Sequence, residues 1–427
     1  MDCHLEKTIN QKKKKMNKKI YCLIICFTWL IQSNAQLKPV LFQLKTDTII
    51  KWNYYFGDEF SKSEVNDEKW HMGYPWGGLS ILEDEWADPA NLKIENGILE
   101  LYAKKTDELK KFPDWMIDSN AMRKYGKKLI DGKYPLKFTG SAIWSKNPIR
   151  YGYFECRCRM PSGKGLWPAF WLYGGNPNDE IDFMELKGER EKEIHVDVHC
   201  PDRCDKGYPG FLGIKKNWGA WVKVTSSLNQ DWNIISGIWM PGYVLFFVNG
   251  DPVAYFKGDF KNSMNVIANL AVAVDNGPFN PGPDDKTSFP AKMEVDYIRA
   301  WKVPEDPEFS IRKNPNVDFD RTEKTIQESN SDVPKFKKVK PYMKNKKFMK
   351  KEMGFISFYP VNNKKYLITN NSSSNLSVII KNSKGEKIKE QIITKTYTPF
   401  DLNDFKGKII VEVRYLNNKS SFTLELP

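Results

Sequence analysis

Three carboxylates fall within six residues whose other positions are apolar, Glu180-Ile181-Asp182-Phe183-Met184-Glu185. Charge is costly to keep in such a segment unless it does chemistry. Side chains on a strand alternate between faces, so Glu180 and Asp182 point one way and Glu185, three positions on, points the other. One extra residue in a β-bulge around Phe183-Met184 reverses that parity and aims all three acids into one cleft. Two glutamates converging there suit glycoside hydrolysis with retention, in which one carboxylate attacks the sugar and the other, roughly 5 to 5.5 Å away, protonates the leaving oxygen. The competing reading is an edge strand with a solvated acidic face. A middle acid flanked by two others cannot easily stay charged, so the protons are shared over a coupled group and at least one carboxyl is neutral near working pH. That neutral carboxyl is the general acid, and the residues alone do not say which glutamate it is.

The elements that must position these acids are strands. Many short strand-like runs separated by Gly, Pro, Asn and Asp, with few long helical periodicities, argue an all-β chain. Just upstream, residues 151–171 form two aromatic-rich runs joined by the turn Pro161-Ser-Gly-Lys-Gly165. Other blocks follow in order: Phe56-Gly-Asp-Glu-Phe60 with Trp70, Asn91-Leu-Lys-Ile-Glu-Asn-Gly-Ile-Leu99, Gly140-Ser-Ala-Ile-Trp-Ser-Lys146 and Phe289-Pro-Ala-Lys-Met-Glu-Val-Asp-Tyr-Ile-Arg299. Together these resemble glycoside hydrolase family 16, the laminarinase, lichenase, agarase and carrageenase group, over about residues 38 to 304. The resemblance implies a concanavalin A-like β-jelly-roll sandwich whose concave face binds a polysaccharide. It also implies Glu180 as nucleophile, Glu185 as acid/base and Asp182 between them.

Further residues are candidates for the cleft. Trp167 and Trp171 are four apart and share a strand face, where indoles stack on sugar rings. His199 alternates with His195 and Asp197, which puts all three on one face, and the resemblance implies a histidine there facing the acids. Trp76, in the turn-rich Gly73-Tyr-Pro-Trp-Gly-Gly78, is placed to wall the cleft. No cofactor is expected for the chemistry, and Asp296 is a candidate for the structural calcium of some family members. Ala273-Val274 after the run Asn269-Leu-Ala-Val272, where a glycine pair is usual, and Asn233, where a histidine is common, depart from the family and are expected to alter subsites. The expected activity is retaining endo-hydrolysis of a β-linked polysaccharide, a β-1,3-glucan first and a red-algal galactan such as agar, porphyran or carrageenan second. A non-catalytic lectin on the same sandwich is the alternative from another class, and three mutually repelling carboxylates argue against it.

The chain has 427 residues, enough for a sandwich of roughly 200 to 250 plus a smaller unit. Residues 1–35 read as a secretory leader: lysines from Lys12 to Lys19, an apolar core Ile20 to Ile31 too short to span a membrane, and Ser33-Asn-Ala35 before the cut. The expected destination is secreted, extracellular or at the cell surface. Four cysteines then remain, and Cys200 can close on Cys204, while Cys156 and Cys158 sit two apart on one strand face and do not suit a mutual bridge. A metal site built from all four is the alternative, against which stands a spacing unlike that of structural zinc.

The formal net charge of +13 lies outside residues 36–304, which hold 35 basic and 36 acidic side chains. No basic patch with interleaved aromatics supports a nucleic-acid partner. Residues 305–352, ending in a lysine-dense run, read as a charged linker. Strand-like runs return in residues 353–427 as a small β-sandwich. Its Phe358-Tyr-Pro-Val-Asn-Asn opening and terminal Gly407-Lys-Ile-Ile-Val-Glu-Val resemble the sorting domain of the type nine secretion system, with a carbohydrate-binding module as the rival. The expected partners are therefore a polysaccharide and secretion machinery. The enzyme is expected to be a monomer whose catalytic unit makes few contacts with the C-terminal one.

Overall fold

The computed structural model describes residues 38–44, 48–175, 179–201, 217–260, 262–302, 354–362, 365–370, 375–394 and 397–426. The leader, the linker and Cys204 lie outside them. Strands dominate the regular structure of the described chain, with one short helix, Ser119–Lys124, and two single-turn helices beside them, as the all-β reading expects.

Seven antiparallel strands make the sheet that carries the acids. In spatial order they are Trp70–Met72, Phe138–Ser145, Asn265–Val272, Leu166–Tyr173, Glu180–Glu185, Glu193–His199 and Asn217–Lys223. A second sheet lies behind it, ordered Leu92–Glu95, Ile98–Lys105, Ala291–Lys302, Gly152–Arg159, Asn233–Met240, Tyr243–Val248 and Asp251–Lys257. The alternation in each strand explains the layering. Phe154, Cys156 and Cys158 point inward to meet Leu166, Phe170 and Leu172 of the first sheet, all fully buried in one core. Tyr153, Glu155, Arg157 and Arg159, one position out of phase, face the other way.

Cys156 and Cys158 are free thiols in that core, and Cys200 is disulfide-bonded. This overturns the four-cysteine metal site, because two of the four sulfurs are sealed between the sheets and a third is already bonded.

The C-terminal strands form a sandwich of their own. One sheet is Lys387–Ile393, Leu376–Lys381, Gly407–Tyr415 and Asn418–Leu426. The facing sheet joins Gly354–Asn362 to Lys365–Asn370 and Tyr397–Asp401, and its next strand comes from the other end of the chain. Val40–Leu44 pairs antiparallel with Gly354–Asn362 from Val40↔Phe358 to Leu44↔Gly354, and on its other side with residues 49–52 of the Ile49–Asp58 strand. That strand continues along Ala291–Lys302 of the catalytic sandwich.

Val40–Leu44 is buried on both faces. Phe42 and Leu44 enter the C-terminal core beside Ile356, Phe358 and Phe422. Leu41 enters a separate cluster with Trp52, Tyr153, Ile238, Phe247, Trp301 and Phe355, which joins the two units. The expectation of few contacts between them is not met. An apolar pentapeptide that reads as one more strand of the first domain is a strand of the second, because pairing at both edges and burial on both faces satisfy it only there.

Candidate active site

The site is built on the Glu180–Glu185 strand, and a bulge decides its geometry. Phe170 pairs with Met184 and Trp171 with Asp182, so Phe183 has no counterpart on that side. On the other side Asp182 faces Asp197 and Glu185 faces His195, again with one residue too many on the acidic strand. Phe183 and Met184 therefore both turn into the core, where Phe183 stacks on Phe154 with centroids 5.6 Å apart. Glu185 returns to the face that bears Glu180 and Asp182, as the parity argument requires.

Cross-strand register then arranges the face in rows. Tyr173, Glu180, His199 and Asn217 form one, Trp171, Asp182, Asp197 and Gly219 the next, and Ala169, Glu185, His195 and Trp221 the third. His199 Nε2 lies 3.8 Å from Glu180 Oε1, 4.0 Å from Asp182 Oδ2 and 3.5 Å from Asp197 Oδ2. His195 Nδ1 lies 3.0 Å from Glu185 Oε2 and 3.9 Å from Asp197 Oδ2. Trp167 donates its indole N–H to Glu185 Oε1 at 3.0 Å.

Burial sets the proton balance. It drives Asp182 well above the usual carboxylate range, and the charges of Glu180, Glu185 and Asp197 push the same way. Asp182 also hydrogen-bonds Glu180, the protonated acid donating. Glu180 is raised too, mainly by burial, with His199 opposing, and burial pushes Asp197 up to about 7. For His199 burial alone would favour the neutral ring, but Glu180, Asp197 and Glu185 outweigh it and the imidazole is raised. A neutral carboxyl is thus present as expected, but it sits on Asp182, the most enclosed of the three.

The aromatic candidates Trp167, Trp171 and Trp76 lie on or beside this face. Trp167 stacks on Phe279, centroids 4.6 Å apart and planes within 7°. Trp171 is more deeply set, and its indole N–H is held by Asn269 Oδ1 at 2.8 Å. Trp76 lies flat on Tyr74 at 4.7 Å and meets Trp171 at 6.2 Å and Tyr173 at 5.6 Å. His195, Asp197, Tyr74 and Phe279 were not singled out. The alternation in Glu193–His199 already placed the first two beside His199, whereas Phe279 arrives from a Gly- and Pro-rich loop that gives no local signal.

Residues 89–299 match the family model for glycosyl hydrolases family 16. This region is a family 16 glycoside hydrolase domain. A β-glucanase of Rhodothermus marinus is 28% identical over 284 residues, covering 60% of this chain and 88% of its own. A glucan endo-1,3-β-glucosidase of Cryptopygus antarcticus is 29% identical over 215 residues, 43% of this chain and 77% of its own. The solved endo-β-1,3-glucanase of Pyrococcus furiosus is 27% identical with a TM-score of 0.48, covering 62% of this chain and 99% of that one.

Of the two departures, Ala273-Val274 follows directly on the Asn265–Val272 strand, and Asn233 lies in the other sheet. Asn269 lies on the acidic face, where it fixes Trp171. Asn233 does not. It is fully buried in the rear sheet, bonded to Ser226 Oγ, Asn249 Nδ2 and the carbonyls of Ser227 and Asp231, so it ties a turn and shapes no subsite. Asp296, the calcium candidate, is ion-paired with Arg157 on the outer surface of that sheet. Glu180, Asp182 and His199, and likewise Glu185, His195 and Asp197, bring their polar atoms within 4.8 Å of one another. Each triad already pairs acids with a histidine, and both are read as acid–histidine clusters.

Proposed function

We propose that this glycoside hydrolase cleaves internal bonds of a β-linked polysaccharide with retention, and that its substrate is a β-1,3-glucan. The bulge that returns Glu185 to the face of Glu180 carries the reading, because retention needs two carboxyls converging on one anomeric centre. Glu180 is the nucleophile, which His199 helps to keep ionised against burial. Asp182, protonated and hydrogen-bonded to Glu180, limits charge repulsion and orients the attacking oxygen. Glu185 protonates the leaving oxygen and then activates water. Trp167 and Trp76 offer aromatic surface to sugar rings, and Trp171 backs Trp76. The names of the Rhodothermus and Cryptopygus relatives support a β-glucan, and the second of them supports the 1,3 linkage.

Reducing-sugar release from laminarin, mixed-linkage glucan, agarose, porphyran and carrageenan tests the substrate, with laminarin expected to be cleaved fastest. Faster cleavage of a sulfated or neutral galactan would replace the glucan. NMR of the first product is expected to show retained anomeric configuration, and inversion would overturn the assignment of Glu180.

The same proposal covers export through the leader and sorting by the C-terminal unit, supported by the sequence resemblances alone. A reporter carrying the leader, residues 38–44 and residues 353–427 is expected outside a host with that secretion system. Retention on insoluble glycan without export would favour the carbohydrate-binding alternative.

A further inference from the structure

We propose that His195 is a positioning residue for Glu185 that also shares its transferable proton; the inference rests on the glycosidase reading above. Each oxygen of the Glu185 carboxyl has its own partner, one from each neighbouring strand. Trp167 Nε1 reaches Oε1 at 3.0 Å and His195 Nδ1 reaches Oε2 at 3.0 Å. Two contacts from opposite sides fix the plane of the carboxyl, and so the direction in which a proton leaves it. The imidazole is itself fixed. It is 2% exposed and packed against the rings of Trp221 at 4.9 Å and Phe279 at 5.7 Å.

Among the described residues, three charged or titratable groups stand beside this ring or next to its acids. On its own strand Asp197 Oδ2 stands 3.9 Å away, and His199 lies beyond it. On the acidic strand the facing group is Glu185. The neighbouring strand and the loop present the Trp221 and Phe279 rings, with Lys187 and Arg190 on Trp221. Among the described residues Glu185 is therefore the nearest acid to Nδ1.

A single proton between Oε2 and Nδ1 belongs to the pair, whichever atom holds it. In the first half-reaction the bond from C1 to the leaving oxygen breaks, a bond from C1 to a Glu180 oxygen forms, and the pair's proton passes through Glu185 to the leaving oxygen. In the second, water attacks C1, the bond to Glu180 breaks, and the proton lost by water returns to the pair.

The test is the full chain with His195→Asn, whose amide can still reach Glu185 but does not titrate in this range. On laminarin at pH 7 kcat/KM is expected to be at least ten-fold lower. On a dinitrophenyl β-glycoside of laminaribiose, whose departure needs no proton, kcat/KM is expected to stay within two-fold. Equal loss on both substrates would make His195 merely structural and overturn the proposal. Wild-type protein that releases no product would instead sink the glycosidase reading itself. A second measurement does not depend on that variant folding. In ¹⁵N-histidine spectra, Glu185→Gln is expected to shift the Nδ1 resonance of His195, because its partner at 3.0 Å changes, and an unchanged resonance also overturns the proposal.

Discussion

Asp182 is where the cluster is held against its own electrostatics. Burial and three neighbouring acids make its charged form costly, so it serves as a neutral donor to Glu180 rather than as a fourth party to the repulsion. Replacing Glu180 or Glu185 with Gln removes the nucleophile or the acid with little change in volume. Each is expected to lower kcat on polysaccharide by about 10²-fold or more while leaving binding intact, measured by product release and affinity electrophoresis. The upward shift of Glu180 places the acidic limb of kcat/KM above the ordinary carboxylate range, so activity should rise with pH there as Glu180 ionises; a limb near pH 4 would contradict it. Asp197 carries a stability consequence. Its carboxyl titrates at about 7 when folded and near 3.9 in an unfolded chain, so the fold prefers the protonated form. Stability linked to this group is full below about pH 4 and declines as pH rises toward 7. Asp197→Asn removes that decline, so it should be more stable than wild type at pH 8 but not at pH 4, by on the order of a few kcal/mol, read as a higher melting temperature at pH 8 only.

The bulged strand is the element that makes the acids a site, and the core behind it keeps the bulge in place. Phe183 fits only because Gly237, on the Asn233–Met240 strand, has no side chain: a Cβ there would lie 2.1 Å from the Phe183 ring. Gly237→Ala is expected to destabilise the protein by about 1–3 kcal/mol through overpacking. It should also lower kcat more than KM, because a displaced Phe183 moves Glu185. Thermal melting and kinetics measure the two effects, and an unchanged melting temperature would mean that the ring relaxes without disturbing the strand.

At the scale of the molecule, the strand that begins the described chain closes the domain that ends it. Residues 353–427 alone lack Phe42 and Leu44, which are fully buried in their core. That fragment is expected to show little secondary structure by circular dichroism and to gain it when a peptide of residues 38–44 is added. A fragment folded without the peptide would show the strand to be dispensable. Truncation after residue 304 strips the cover from Leu41, Tyr153 and Phe247, so lower solubility and a lower melting temperature are expected. Its kcat on soluble glucan should hold, because the site occupies the other sheet.

Much of this was readable from residue order. The all-β class follows from short alternating runs, and the three acids with a bulge at Phe183-Met184 follow from strand parity, because both depend on neighbours a few positions apart. The face shared by His195, Asp197 and His199 is local in the same sense. What pairs across long separations was not readable. Whether Asn233 or Asn269 meets the cleft depends on which sheet each strand joins, and Phe279 reaches Trp167 only through a loop more than a hundred residues downstream. Val40–Leu44 looks like any apolar strand. Its partners are decided by which two edges can satisfy its backbone while both of its faces leave water, and that choice exists only once the two sandwiches lie side by side.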